Sequence, residues 1–313
     1  MSTPLSIALT KTLEIARAEK PLVVVTGPTG SGKTGLSIEL ALALKGEGIT
    51  AEVINADSRQ CYRQMDIGTA KITMEEMKGV PHHLLSVLDP KEPATIAWYQ
   101  AEAERAIADC HARGVLPMLV GGSMLYLSSV IDGLKPLPSD PELRAKLQKV
   151  YDLDEGVTLQ KELMHLDPES GATVERRNAV YLIRAVEICR LTGKPASVAR
   201  AKAPSPYTLA LFFMDVPTDV LEARIVARTK VLMASGWTEE VDALRQKHYS
   251  AKDPGFISHG YREILARLNK GRKVEDVKVD PAVIAQINTV TRQYAKRQRT
   301  WWRRDERVIR LAA

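Results

Sequence analysis

The stretch VVVTGPTGSGKT, Val23 to Thr34, constrains the fold more than any other part of the chain. A β-branched run passes directly into Gly27, four intervening residues, Gly32, Lys33 and Thr34, and then into a helix-favouring segment. This is the G-x-x-x-x-G-K-[ST] spacing in a strand–loop–helix context. Its glycines let backbone N–H groups curl around a phosphate, and the helix N-terminus adds positive partial charge. Gly27, Pro28, Thr29, Gly30, Ser31, Gly32, Lys33 and Thr34 are therefore the expected diphosphate-binding residues. Lys33 supplies a mobile cation, and the Thr34 hydroxyl is the expected magnesium ligand. Such a loop recognises a diphosphate or triphosphate, not a base.

The surrounding pattern extends this unit into an α/β fold. Apolar strands are expected at 21–25, 51–55 and 115–120, with helices at 32–45 and 95–112 and a later strand starting near Thr208. Strands alternating with helices predict a parallel sheet. Between 136 and 206 the pattern changes to successive helices, bounded by Pro136, Pro138, Pro204 and Pro206. The expected architecture is a P-loop NTPase-like parallel sheet core, residues 1–135 and 207–313, with a helical insertion domain at 136–206. After the strand near Thr208 the chain is expected to run helical to its end. The strand that would carry the magnesium-orienting acid of a nucleotide hydrolase ends instead in Gly121, Gly122 and Ser123. Asp215, at the end of LFFMD, reads better as a strand-end residue, so ATP hydrolysis is not the default.

Composition narrows the class. With 45% apolar and 26% charged residues the 313-residue chain has ample core, which argues against disorder. No apolar run approaches the roughly 20 residues needed to span a bilayer, and the N-terminus lacks a secretory pattern, so a cytoplasmic protein without membrane association is expected. Cys61, Cys110 and Cys189 show neither metal nor redox spacing and read as reduced thiols. His82 and His83 have no cysteine or acid at ligand spacing, which disfavours a metal there. The net charge of +6 matters less than its placement. TRQYAKRQRTWWRRDER holds seven basic residues against two acidic ones. As a helix it would set Arg292, Lys296, Arg299 and Arg303 in one stripe, with Tyr294, Trp301 and Trp302 interleaved. A polyanionic partner and a solvated terminal helix both fit that stripe.

The remaining signal is NADSRQ, just past the strand AEVIN. In a parallel sheet the carboxyl ends of the strands open onto the ligand crevice, so Asp57 stands near whatever the phosphate loop holds. A carboxylate there suits a general base, and Ser58, Arg59 and Gln60 offer donors and acceptors for a base edge. An Asx turn is the plain alternative. Taken alone, these residues also allow a small-metabolite or nucleotide kinase with lid arginines, or a non-catalytic, nucleotide-gated RNA-binding protein.

GPTGSGKT, NADSRQCYRQMDIGTAK, VPHHLLSVLDP, LVGGSMLY, LPSDPELR, RLTGKP, MDVPTDVLEARIVARTKVLMASGWTEEV and GYREIL together, in this order, resemble the tRNA dimethylallyltransferases. The resemblance runs from about residue 22 to 300. It implies transfer of a dimethylallyl group from its diphosphate to the exocyclic amine of the adenine 3′ of the anticodon, with release of pyrophosphate. The phosphate loop would hold the donor's diphosphate. Asp57 would take the amine proton, Ser123 would help place the amine or diphosphate, and Arg228 would join Lys33 and magnesium on the departing pyrophosphate. Asp57, Ser58, Arg59, Gln60 and Ser123 would hold the flipped base, while Arg144, Arg184, Arg299 and Arg303 would contact tRNA. Arg144 is carried over through PELR alone. Tyr181 stands where a basic residue is expected, and His259 where a small apolar one is usual. The implied partners are the tRNA anticodon stem-loop and dimethylallyl diphosphate, the implied cofactor is magnesium, and a monomer is expected.

Overall fold

Strands that are apolar at every position need both faces of their sheet covered. The computed structural model, which describes residues 3–133, 137–200 and 204–313, builds such a sheet. Its six strands are β1 (Pro21–Thr26), β2 (Ala51–Asn55), β3 (His82–His83), β4 (Leu116–Val120), β5 (Thr208–Asp215) and β6 (Val308–Ala312). Their order is β3-β2-β4-β1-β5-β6, and every pairing is parallel. β1 sits between β4 and β5, with Val23 beside both Met118 and Ala210. Alternate residues face opposite layers. Leu22, Val24, Ile54, Leu119, Leu211 and Phe213 enter one core cluster, and Val23, Val25, Val53, Met118, Phe212 and Met214 enter the other.

The strands at 51–55 and 116–120 and the helices Lys33–Gly46 and Ile96–Ala112 stand where the sequence pattern puts them. Two strands were not expected. β3 is only two residues long, too short for any periodicity to reveal. β6 corrects the expectation that the chain runs helical to its end. The helix Pro281–Trp302 stops, the chain turns, and VIRLA pairs in parallel with β5, Leu211 beside Val308. Burial of Leu311 under the edge of the sheet decides for the strand.

The chain divides into two compact units, Met1–Ile131 with Ser205–Ala313, and Asp132–Pro204. The insertion thus begins four residues before the position expected from the sequence and ends two before it. Pro136 lies outside the described residues. The insertion is helical, with Pro141–Asp154, Val157–Leu166, Pro168–Thr173 and Ala179–Thr192 as its main helices. They pack around Leu147, Leu159, Leu163, Leu182 and Val186. Each such buried leucine contributes roughly 1.5–3 kcal/mol relative to exposure. No helix among the described residues is long and apolar enough to cross a membrane.

Candidate active site

Loops from the carboxyl ends of β1, β2 and β4 converge. After β1 the chain turns at Gly30 (φ 84°) and Gly32 (φ 89°), a region that side-chain-bearing residues rarely adopt. Gly32 caps the helix Lys33–Gly46, whose first N–H groups have no intrahelical acceptor. Lys33 Nζ folds back to donate to the carbonyls of Gly27 (3.0 Å) and Pro28 (2.9 Å). Desolvation within the loop lowers its pKa to about 8, against the raising effect of Asp57 and with the help of Arg228. The hydroxyl of Ser31 is buried and has no hydrogen-bond partner among the described residues. A cradle with free donors, an orphaned hydroxyl and an electrostatically strained ammonium fits an anion.

After β2, Asn55 shapes the turn. Its Oδ1 accepts from Asp57 N (3.0 Å), and its Nδ2 donates to the carbonyls of Asp57 (3.0 Å) and Leu84 (3.1 Å). The Asp57 carboxylate accepts from Arg59 N at 2.8 Å, so the Asx turn is present. It does not exhaust the carboxylate, which also lines two cavities. One, of about 80 Å³, holds Lys33, Thr34, Ser37 and Gln60. The other, of about 270 Å³, holds Ser58, Arg59, Thr69, Trp237, His259 and Tyr294. Thr29, Asp57 and Arg228 line both. Burial lowers the Arg228 pKa, and the nearby Asp57 charge opposes the shift.

After β4, Ser123 N donates to Ala56 O at 3.0 Å, and Ser123 Oγ accepts from Ser58 N at 2.9 Å. Gly121 has no room for a side chain, since its Cβ would lie 2.2 Å from the Ala56 backbone. The residues Asp57, Ser58, Arg59, Ser123 and Arg228 expected from the sequence are thus gathered in one place. Gln60 departs from expectation in part. Its amide donates to the carbonyls of Thr69 (3.3 Å) and Ala70 (3.2 Å), so it braces the 66–70 loop as well as lining the smaller cavity.

Residues that sequence reasoning left without a role build the far wall. Glu240 accepts from the backbone N–H groups of Asp66 (2.7 Å), Ile67 (2.7 Å) and Gly68 (3.2 Å) and from the Tyr261 hydroxyl. The Trp237 indole packs against Gly68 and Gly260, where a Cβ would fall 1.9 Å and 2.0 Å from the ring. Two glycines, an indole and an acid far apart in sequence, Gly68 of DIGTAK, Gly260 of GYREIL, and Trp237 and Glu240 of GWTEEV, are therefore one packed unit. His259 stands edge-on to Tyr294, with ring centroids 5.3 Å apart.

The basic residues are more engaged than expected. The 281–302 helix does set Arg292, Lys296, Arg299 and Arg303 along one groove of about 850 Å³. Arg299 donates to Thr218 Oγ1 (2.6 Å) and lies 3.7 Å from Asp215, which also meets Arg310 at 3.4 Å. Asp215 is thereby occupied by arginines, in keeping with a strand-end role. In the insertion, Arg144 (3.0 Å) and Arg184 (2.6 Å) both close on Glu187, which has no exposure, and Asp140 N adds a third donor to it. Both guanidinium groups therefore have an internal partner, and Tyr181 is exposed.

The histidine pair behaves unlike its sequence reading. The fold brings Glu52 and Cys110 to His83, with ligand atoms within 4.8 Å of one another. Arg113 already grips both Glu52 oxygens at 2.7 Å. Hydrogen bonding from Arg113 first, and from His83, holds the Glu52 pKa near 2. Arg113 supplies the counter-charge of the carboxylate. Cys61, Cys110 and Cys189 are free and buried, and burial pushes the Cys61 thiol up to about 12.

The comparisons agree with the geometry. The family described as IPP transferase matches residues 60–305, and that described as isopentenyl transferase matches residues 20–87. A tRNA dimethylallyltransferase of Thermomicrobium roseum is 39% identical over 92% of this chain and 85% of its own length. One of Corynebacterium efficiens is 41% identical over 91% of this chain and 92% of its own. The crystal structure of the full-length tRNA isopentenylpyrophosphate transferase of Bacillus halodurans superposes with a TM-score of 0.67 at 35% identity, covering 94% of this chain and 90% of that one. A eukaryotic dimethylallyltransferase acting on tRNA gives 0.74 at 28% identity, covering 91% and 70%. With a phosphate cradle, a carboxylate shared by two cavities and this breadth of similarity, the chain belongs to the IPP transferase family.

Proposed function

We propose that this protein transfers a dimethylallyl group from dimethylallyl diphosphate to the exocyclic amine of the adenine 3′ of the anticodon in tRNA. The observation that carries the reading is the position of Asp57, on the wall of both the phosphate cavity and the larger polar one beside it. An aromatic exocyclic amine is a weak nucleophile because its lone pair is delocalised into the ring. Asp57 takes its proton as the new C–N bond forms, and the C–O bond to the diphosphate breaks with its electron pair leaving on pyrophosphate. Lys33, Arg228 and the loop N–H groups face that growing charge, and donors already aimed at it need no reorganisation. Ser58, Arg59 and Ser123 orient the extruded base, whose unstacking costs a few kcal/mol.

The Thr34 hydroxyl and Asp57 carboxylate, oxygen donors on one small cavity, suit a hard cation that keeps waters and substrate oxygens. Thr34 would hold magnesium, which when bound supplies further neutralisation of the leaving group. The basic face of the 281–302 helix, with Arg299 and Arg303, offsets the cost of base extrusion by binding RNA phosphates. Arg144 and Arg184, whose guanidinium groups also donate to Ser139 and to the carbonyls of Pro138 and Leu137, stay partly exposed and serve the same end on the insertion. A cytoplasmic monomer is part of this reading.

The test mixes labelled dimethylallyl diphosphate with unmodified tRNA. Label should enter the RNA, and Asp57→Asn should slow single-turnover transfer by about 10²–10⁴ while tRNA affinity is kept. An asparagine Oδ1 can still accept from Arg59 N, so the turn survives the change. Full transfer by the variant would remove Asp57 as the base. ATP consumption with a small acceptor, without label in RNA, would favour the kinase.

A further inference from the structure

Gln298 is a polar side chain on the 281–302 helix with only 1% exposure, and both ends of its amide are used. Its Oε1 accepts from Thr29 N at 3.0 Å, and its Nε2 donates to Gly122 O at 2.8 Å. The Tyr294 hydroxyl, one turn earlier, donates to the same Gly122 carbonyl at 3.2 Å. Thr29 belongs to the phosphate loop after β1, and Gly122 precedes Ser123 in the loop after β4. Among the described residues, the backbone ties these two loops at their roots, where Gly121 N donates to Val25 O at 3.1 Å. Beyond that point Gln298 spans them. The fit is close, since a Cβ on Gly122 would stand 2.2 Å from Gln298 Nε2.

Two consequences follow from hydrogen-bond geometry. The Thr29 N–H is spent on Gln298, which orients the first half of the cradle before any anion arrives. The carbonyl of Gly122 is fixed by two donors, which orients the Ser123 hydroxyl toward Ser58, 3.2 Å away. We propose that Gln298 is a positioning residue, setting the spacing between the loop that holds the diphosphate and the loop that presents Ser123 to the amine. This rests on the function proposed above.

Two variants and one control test it. Gln298→Met keeps the length and bulk of the side chain and removes both hydrogen bonds. It should lower the single-turnover rate about 10- to 100-fold at a temperature where the variant is still fully folded, with tRNA affinity close to the parent's and an unfolding temperature lowered by the Thr29 N–H left without its partner. Gln298→Glu keeps the acceptor for Thr29 but sets a carboxylate against the Gly122 carbonyl. Burial favours its protonated form, which can donate to that carbonyl. The variant's rate should therefore lie closer to the parent's than the methionine variant's does, and approach it further as pH falls. A methionine variant with unchanged rate and donor KM would overturn the proposal. So would a rate loss that merely tracks lost stability, with no recovery of the glutamate variant in acid. Lys33→Ala separates the premises. If it leaves the donor KM unchanged, the placement of the donor falls and the role of Gln298 falls with it; if it raises that KM, only the Gln298 data decide.

Discussion

Lys33 makes donor binding pH-dependent in a direction that can be worked out. The loop lowers its pKa from 10.5 to about 8, chiefly by desolvation. A bound diphosphate supplies the missing counter-charge and returns the ammonium toward its ordinary value. Free protein then carries the charge on about 90% of molecules at pH 7 and about 10% at pH 9, whereas the complex stays charged throughout. Donor binding must accordingly take up a proton above pH 8. The contribution of this lysine to affinity is flat below pH 7, falls as pH rises through 8, and is about tenfold weaker at pH 9 than at pH 7, or about 1.4 kcal/mol. Isothermal titration calorimetry in buffers of different ionisation enthalpy measures both the affinity and the proton. Lys33→Arg, which keeps a charge at every accessible pH, should abolish the dependence. A dissociation constant that is unchanged between pH 7 and 9, or no uptake at pH 9, would refute the argument that the loop strains its own cation.

The wall of the larger cavity can be tested by volume. Gly68→Ala would place a methyl 1.9 Å from Trp237 Nε1, and it should destabilise the protein by about 3 kcal/mol, read from the urea midpoint. An unchanged midpoint would mean that the indole and the 66–70 loop do not pack as described. On the basic helix, Arg299→Ala and Arg303→Ala should each weaken tRNA binding and reduce the slope of log affinity against log salt by about 0.7–0.9. An untouched slope in the double variant would take this face out of the RNA interface.

What could be read from the sequence was whatever is written contiguously. The phosphate loop is eight residues in a row, Asp57 follows a recognisable strand, and the apolar strands of a doubly covered sheet stand out as runs. Long-range partners leave no such mark. Glu240 reads as one of two adjacent acids in WTEEV, and only the fold shows three backbone N–H groups of a loop more than 170 residues away closing on it. Gln298 hides in a run of charges where glutamine passes for solvated surface. Glu52 lies in a strand that reads as apolar, and nothing local announces that Arg113 and His83 will meet it. β6 was missed because five residues cannot outweigh a strongly helical approach. Glycine carried the one usable signal for the hidden contacts. Gly68, Gly122 and Gly260 sit where the approach of a distant side chain forbids anything larger, and an isolated glycine in a motif is the trace of such a visitor.

The order of the strands dictates when a nascent chain acquires chemistry. One flanking partner of β1, the strand β5, is made nearly two hundred residues after it, and the clasp on the β1 loop comes from a helix later still. Contacts of such separation close slowly and late. A polypeptide still being translated therefore owns a phosphate-loop sequence but no working pocket until the residues around Gln298 have been made.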